Sequence, residues 1–155
     1  MKLFINDVLT IEGNSNAFTN PAIEAGVIHC RVMLEFLGLA MNKSGALAAL
    51  AKPRRADDLG IESFKNKNGP LPWVTPAQAT KRYPGDPAEA EQALLSVFRI
   101  ANKGLAHLTS SFMTTPNEEH LLEVASRGVP ALVVSHLYTP LGLPAPPSQV
   151  VSRAA

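Results

Sequence analysis

The chain has 155 residues, 46% of them hydrophobic and 17% charged. That balance fits one globular domain with a real core and excludes a disordered chain. The formal net charge of +1 excludes the broad cationic footprint of a high-affinity DNA binder, yet it leaves room for transient contact with RNA.

Cys30 is the single cysteine, so neither an internal disulfide nor a cysteine-based zinc cluster is available. Its neighbours are apolar or bulky, which reads as a buried thiol used as a small hydrophobe rather than as a nucleophile. The opening Met1-Lys-Leu-Phe-Ile-Asn-Asp lacks the long apolar stretch and cleavage site of a signal peptide. The most apolar run, residues 23–41, is interrupted by His29, Arg31 and Glu35 and is too polar to span a bilayer. The expectation is a soluble cytoplasmic protein with no membrane partner.

Four pairs mark helix starts in chain order: Asn20-Pro21, Thr75-Pro76, Asp86-Pro87 and Thr115-Pro116. Each sets a capping side chain before a proline whose missing N–H is no loss in the first turn. The first long helix is expected over residues 21–42, with Ile23, Val27, Cys30, Leu34, Leu37 and Met41 as its apolar stripe. A short helix over 44–51 should end at Pro53, and 54–64 reads as one or two further turns. Residues 65–85, rich in Pro, Gly, Asn and Lys, read as a long irregular connector with one turn at 76–82. Trp73 and Tyr83 are expected to pin that connector to the body.

The second long helix is expected over 87–112, with Ala90, Leu94, Val97, Ala101, Leu105 and Leu108 facing the core. Gly104 inside it costs about 1 kcal/mol relative to alanine, which suits a place where a backbone or ligand comes close. The last helix opens at Pro116, carries Leu121, Leu122 and Val124, and should kink or break briefly at Gly128 and Pro130 before resuming over 131–138. Strand signals are weak; Leu132-Val-Val-Ser continues a helical pattern. The expected fold is therefore all-α, a bundle of four or five helices. Residues 1–138 form the domain, and 139–155 a Pro- and Ser-rich tail.

The residues that suggest chemistry lie mostly on the two long helices. Arg99, Lys103 and His107 are spaced four apart with Asn102 beside them, and at about 100° per residue they share one stripe. A histidine near neutrality exchanges protons at cellular pH, and Arg and Lys hold phosphate, one as a planar fork and the other as a point charge. Asn102 can fix the imidazole or a ribose hydroxyl. The plainer reading has Arg99 and Lys103 solvated and His107 hydrogen-bonded within a helix interface.

On the first helix, His29 sits at the margin of the apolar stripe, and Arg31 with Glu35 forms an ordinary surface pair of a few tenths of a kcal/mol. Arg54, Arg55, Asp57 and Asp58 form a charged knot. Asp58 can cap a short helix there, or one aspartate can orient an arginine or histidine from the long helices. His29, His107 and an aspartate make only a weak two-histidine, one-carboxylate set, since no two of the four histidines sit at i, i+4. No metal or cofactor is expected.

Three segments resemble a group of small bacterial helical proteins that in turn look like the HEPN superfamily, named for higher eukaryotes and prokaryotes nucleotide-binding. They are Ile28-His-Cys-Arg-Val-Met-Leu-Glu-Phe-Leu, Arg55-Ala-Asp-Asp-Leu and Asn102-Lys-Gly-Leu-Ala-His-Leu-Thr, within residues 22–112. The resemblance implies a helical bundle, a homodimer, and either metal-independent RNA cleavage of a toxin–antitoxin or phage-defence type or a non-catalytic binding role. The family signature is an arginine, a polar residue, and a histidine four to six positions on. His107 matches the histidine. Arg99 is the natural arginine, but seven residues separate it from His107 and Ile100 follows it. Asn102 has the polar-residue spacing, with Ala101 in place of arginine.

In this reading His107 moves the proton of a ribose 2′-hydroxyl or leaving oxygen, and Arg99 and Lys103 stabilise the phosphate charge. His29, Arg31, Asp57 and Asp58 contribute to binding. Two alternatives stand beside it: a non-catalytic module that binds a nucleotide or a partner protein, and charges that only set helix register.

Overall fold

The computed structural model describes residues 2–5, 9–12, 15–103 and 117–147. Its centre is the helix we call α3 (Pro87–Lys103), in which every residue from Ala93 to Phe98 is buried. Six consecutive buried positions exceed one amphipathic face, so α3 is covered all round there. Ala90, Leu94, Val97 and Ala101 are buried as their spacing requires. Two further long helices, α1 (Ser15–Phe36) and α4 (Glu118–Val133), pack against α3 and against each other.

Two of the sequence-marked starts are seen at the expected residues. Asp86 opens α3, its Oδ1 accepting the Ala88 N–H at 2.9 Å, and Glu89 lies in the positive first turn. Thr75 opens the short α2 (Pro76–Thr80), where Thr75 Oγ1 accepts the Gln78 N–H at 3.2 Å and the Gln78 side chain returns a bond to the Thr75 N–H at 2.9 Å. Asn20-Pro21 does not start a helix: α1 begins at Ser15 and carries Pro21 inside it. Thr115-Pro116 and Gly104 lie outside the described residues.

The expectation of an all-α bundle is corrected by three two-stranded antiparallel sheets among the described residues. They pair β1 (Lys2–Ile5) with β2 (Leu9–Glu12), β3 (Leu39–Met41) with β4 (Leu47–Ala49), and β5 (Lys65–Asn66) with β6 (Gly69–Pro70). The chain is mixed: helices with small hairpins laid against them.

The segment expected as a short helix at 44–51 holds β4 instead, for a reason local to its turn. Asn42 Oδ1 accepts from the Ser44 hydroxyl at 2.7 Å and from the Ala46 N–H at 2.9 Å. Gly45 takes φ +81°, where an L side chain is strained. The turn closes with the Asn42 N–H donating to Ala46 O at 2.9 Å, and pairing then buries Leu39 and Leu47 in the core. The expected connector at 65–85 holds β5, β6 and α2. Its β5–β6 turn repeats the device, with Asn66 Oδ1 accepting the Asn68 N–H at 2.8 Å and Gly69 at φ +111°.

Trp73 and Tyr83 pin the 65–85 segment as expected. Trp73 packs on the core, and Tyr83 donates to Glu89 on α3. Leu71 and Val74 on either side of Trp73 are buried, and the Val74 N–H donates to Leu37 O at 2.9 Å. The core therefore spans both helices and loops, with Leu34, Leu37, Leu39, Ile61, Val74, Val97 and Val129 almost wholly buried. Each such side chain contributes about 1.5–3 kcal/mol of transfer free energy.

The kink expected at Gly128 and Pro130 is not a break. Helix α4 runs through Pro130 to Val133. It then widens into a π-helical turn, Val134–Tyr138, and tightens again into α5 (Thr139–Leu141). Pro130 sits inside α4 although it lacks the N–H that would reach back one turn. Gly142, at φ +68°, ends the run. The expected tail at 139–155 thus begins three residues inside a helix.

Candidate functional site

The sequence-chosen residues do not converge in the described part of the molecule. His29 is exposed on α1, and Arg31 binds Glu35 through both Nε and Nη2, at 3.2 and 3.1 Å. Asp57 and Asp58 are exposed after β4, and Asp58 Oδ2 accepts the Arg55 N–H at 3.2 Å, closing a local turn. No hydrogen bond among the described residues joins any two of His29, Arg31, Asp57 and Asp58. On α3, Arg99 is half-buried and reaches Gln92 Oε1 at 3.4 Å, and Asn102 is exposed. The Lys103 side chain and all of His107 lie outside the described residues.

The charged knot resolves into a helix cap. Arg54 Nη2 donates to the carbonyl oxygen of Phe36 at 2.9 Å and to that of Glu35, and Nε donates to Glu62 Oε1 at 2.9 Å. The guanidinium thus closes the negative end of α1. Burial opposes ionisation of Glu62, but its own backbone N–H, Trp73 and Arg54 outweigh it and hold the carboxyl below its ordinary value. Glu62 Oε2 is buried without a hydrogen-bond partner among the described residues. A Cβ on Gly60 would stand 2.0 Å from Arg54 Nε, which is why glycine occupies that buried position. This cluster is architectural.

Cys30 is half-buried, and desolvation raises its thiol pKa. It packs against the core, as a small hydrophobe does.

A different place has the shape of a site. A groove of about 510 Å³ runs between α2, the 82–84 turn, α3 and the outer face of α4, continuing into the π-helical turn. Ala90, Ala93 and Leu94 from α3 and Val124, Ala125 and Leu132 from α4 supply apolar wall. The spacing of three and four through His120, Val124, Gly128, Ala131 and Ser135 puts one stripe of α4 along the whole length.

Each end of the groove is polar. At one end, Glu89 Oε1 meets His120 Nε2 at 2.7 Å, and Tyr83 Oη donates to the other carboxylate oxygen. The hydrogen bond from Tyr83, then that from His120, pulls Glu89 below the ordinary carboxylate value. At the other end, Arg82 Nη1 donates to Ser135 Oγ at 3.2 Å. His136 beside it is half-buried, and desolvation followed by the charge of Arg82 lowers its pKa. An imidazole held neutral leaves Arg82 as the cation of that end.

Sequence reasoning missed this groove. Glu89 and His120 lie 31 positions apart, and so do not form a linear motif. The available signal was the small-residue stripe Gly128, Ala131, Ser135, which leaves room along a helix that otherwise reads as ordinary.

Among the described residues, no group of three or more His, Cys, Asp or Glu is placed to hold a metal ion. Among them, no helix is long and apolar enough to cross a membrane. The chain matches no protein-family model, no curated protein and no solved structure.

Proposed function

We propose that the protein is a ligand-binding module whose working site is the groove between α2, α3 and α4. The observation that carries this reading is the groove's construction, an apolar trough of about 510 Å³ with polar groups at its two ends. Ligand sites combine such an apolar wall with a few fixed polar groups that set orientation. Gly128 supports it further: a Cβ built there meets nothing within 4 Å, so the groove is open above the middle of α4.

The test uses the full chain and the uncharged fluorophore N-phenyl-1-naphthylamine, which brightens in apolar surroundings. Gly128→Leu projects a side chain into the groove from a Cβ that meets nothing within 4 Å, and improves helix propensity by about 1 kcal/mol. Probe binding by the wild type, lost in Gly128→Leu while the melting temperature holds or rises, supports the reading. An absent signal, or equal binding by both, overturns it.

A second reading is RNA cleavage without metal by a HEPN-like homodimer, with His107 moving the proton and Arg99, Asn102 and Lys103 holding the phosphate. It draws support from Arg99 and Asn102, which both reach the surface on α3. Cleavage of mixed cellular RNA in EDTA by wild type but not by His107→Ala supports this reading. No cleavage by either, or equal cleavage by both, removes it.

A further inference from the structure

Resting on the groove as the binding site, we infer that its occupant is a free long-chain monocarboxylate. The carboxylate is placed against Arg82 and Ser135, and the chain lies along the trough toward Glu89 and His120.

The charge at the groove's ends selects the head. Arg31, Arg54 and Arg127 each hold a glutamate. Arg82 instead donates to an uncharged hydroxyl, Ser135 Oγ at 3.2 Å, and has no carboxylate within ion-pair distance among the described residues. An anion placed there receives the guanidinium and the Ser135 O–H together, since the hydroxyl still donates while it accepts from Arg82. The neutral form favoured at His136 makes this end singly positive, which matches one negative charge rather than two.

The opposite end asks for nothing. Glu89 is already satisfied by Tyr83 and His120, and Glu123 on the rim is paired with Arg127. One unmet charge at one end is the complement of one charged head.

The wall selects the tail. Between the ends, alanine, leucine and valine from α3 and α4 supply dispersion contacts without a side-chain donor or acceptor, and the exposed Gln78, Glu123 and Arg127 complete the lining. That apolar stretch, within a groove of about 510 Å³, fits a flexible hydrocarbon chain, whereas a nucleotide would leave ribose hydroxyls unpaired against it.

The experiment displaces bound N-phenyl-1-naphthylamine from the full chain with dodecanoate, dodecanol or dodecyltrimethylammonium, all kept below micelle-forming concentrations. The expected result is displacement by dodecanoate at a concentration about tenfold lower than dodecanol, the cation being weakest. In Arg82→Gln the preference for dodecanoate should disappear while displacement by dodecanol is unchanged. Arg82→Lys should keep part of it, and Arg82 is exposed, so both variants should fold. Equal displacement by acid and alcohol, or a preference that survives Arg82→Gln, overturns the head assignment and leaves the groove reading standing. Probe binding with no displacement by any of the three overturns the elongated ligand alone. No probe binding at all overturns the groove reading and this inference with it.

Discussion

A Cβ on Gly38 would stand 2.6 Å from Cγ of Trp73. Gly38 ends α1 at φ +95°, and its missing side chain is the space the indole occupies. The only tryptophan is thereby seated at the helix end, and with it the whole segment that leads to α2 and the groove. Gly38→Ala should lose about 2 kcal/mol or more, combining backbone strain with the clash. Gly45 is the control: it has φ +81° but nothing within 4 Å of a built Cβ. Gly45→Ala should cost about 1 kcal/mol. Urea melts of both variants check this, and equal losses would show that Trp73 yields without cost.

Glu62 makes stability depend on pH. Its folded pKa lies below the ordinary 4.5, so its contribution is complete above 4.5 and is lost as pH falls through the folded value. Glu62→Gln should therefore lower the melting temperature at neutral pH, and the gap to wild type should close as pH falls below 4.5 and through the folded value. The Glu62 side chain is 33% exposed, so screening keeps the effect under about 1 kcal/mol. A gap that is constant with pH would assign the loss to packing.

Tyr83 reports on the clasp at the end of the groove. The hydrogen bond to Glu89, then burial, raises its phenol above the ordinary 10.0. The chain has two tyrosines, so a Tyr138→Phe background isolates the signal. In that background Glu89→Gln should bring the ultraviolet titration midpoint down toward 10.0. An unmoved midpoint would mean that the clasp is open in solution.

Cys30 should react slowly with iodoacetamide at neutral pH, because burial raises its pKa and the thiolate is the reactive form. Unfolding in urea should restore the rate of a free cysteine. Equal rates in the two states would place the thiol in solvent.

The hairpins mark the boundary of what a linear reading reaches. Asn42-Lys-Ser-Gly and Asn66-Lys-Asn-Gly both carry the turn chemistry, asparagine to accept and glycine for positive φ. The strands they join have only two or three residues each, too few to show alternation. The Pro and Gly content of 65–85 announced a connector and Trp73 announced its anchor, yet nothing local announced that Leu71 and Val74 would join Trp73 in closing the core.

Local signals, by contrast, carried two helix starts and one stripe of the α3 core, Ala90, Leu94, Val97 and Ala101, though not the buried Ala93, Leu95, Phe98 and Ile100. A cap before a proline and a repeat of three to four are properties of neighbouring residues, and they act before the chain is compact. The same stripe logic put Arg99, Asn102, Lys103 and His107 on one helix face, where only the first two fall among residues whose side chains are described. What the tertiary structure alone decided was which charges meet. Arg54 reaches the end of α1 across 18 positions, Glu89 meets His120 across 31, and Arg82 reaches Ser135 across 53. Such pairings are set by how helices and loops pack, since a few ångströms of approach determine a hydrogen bond and sequence distance does not.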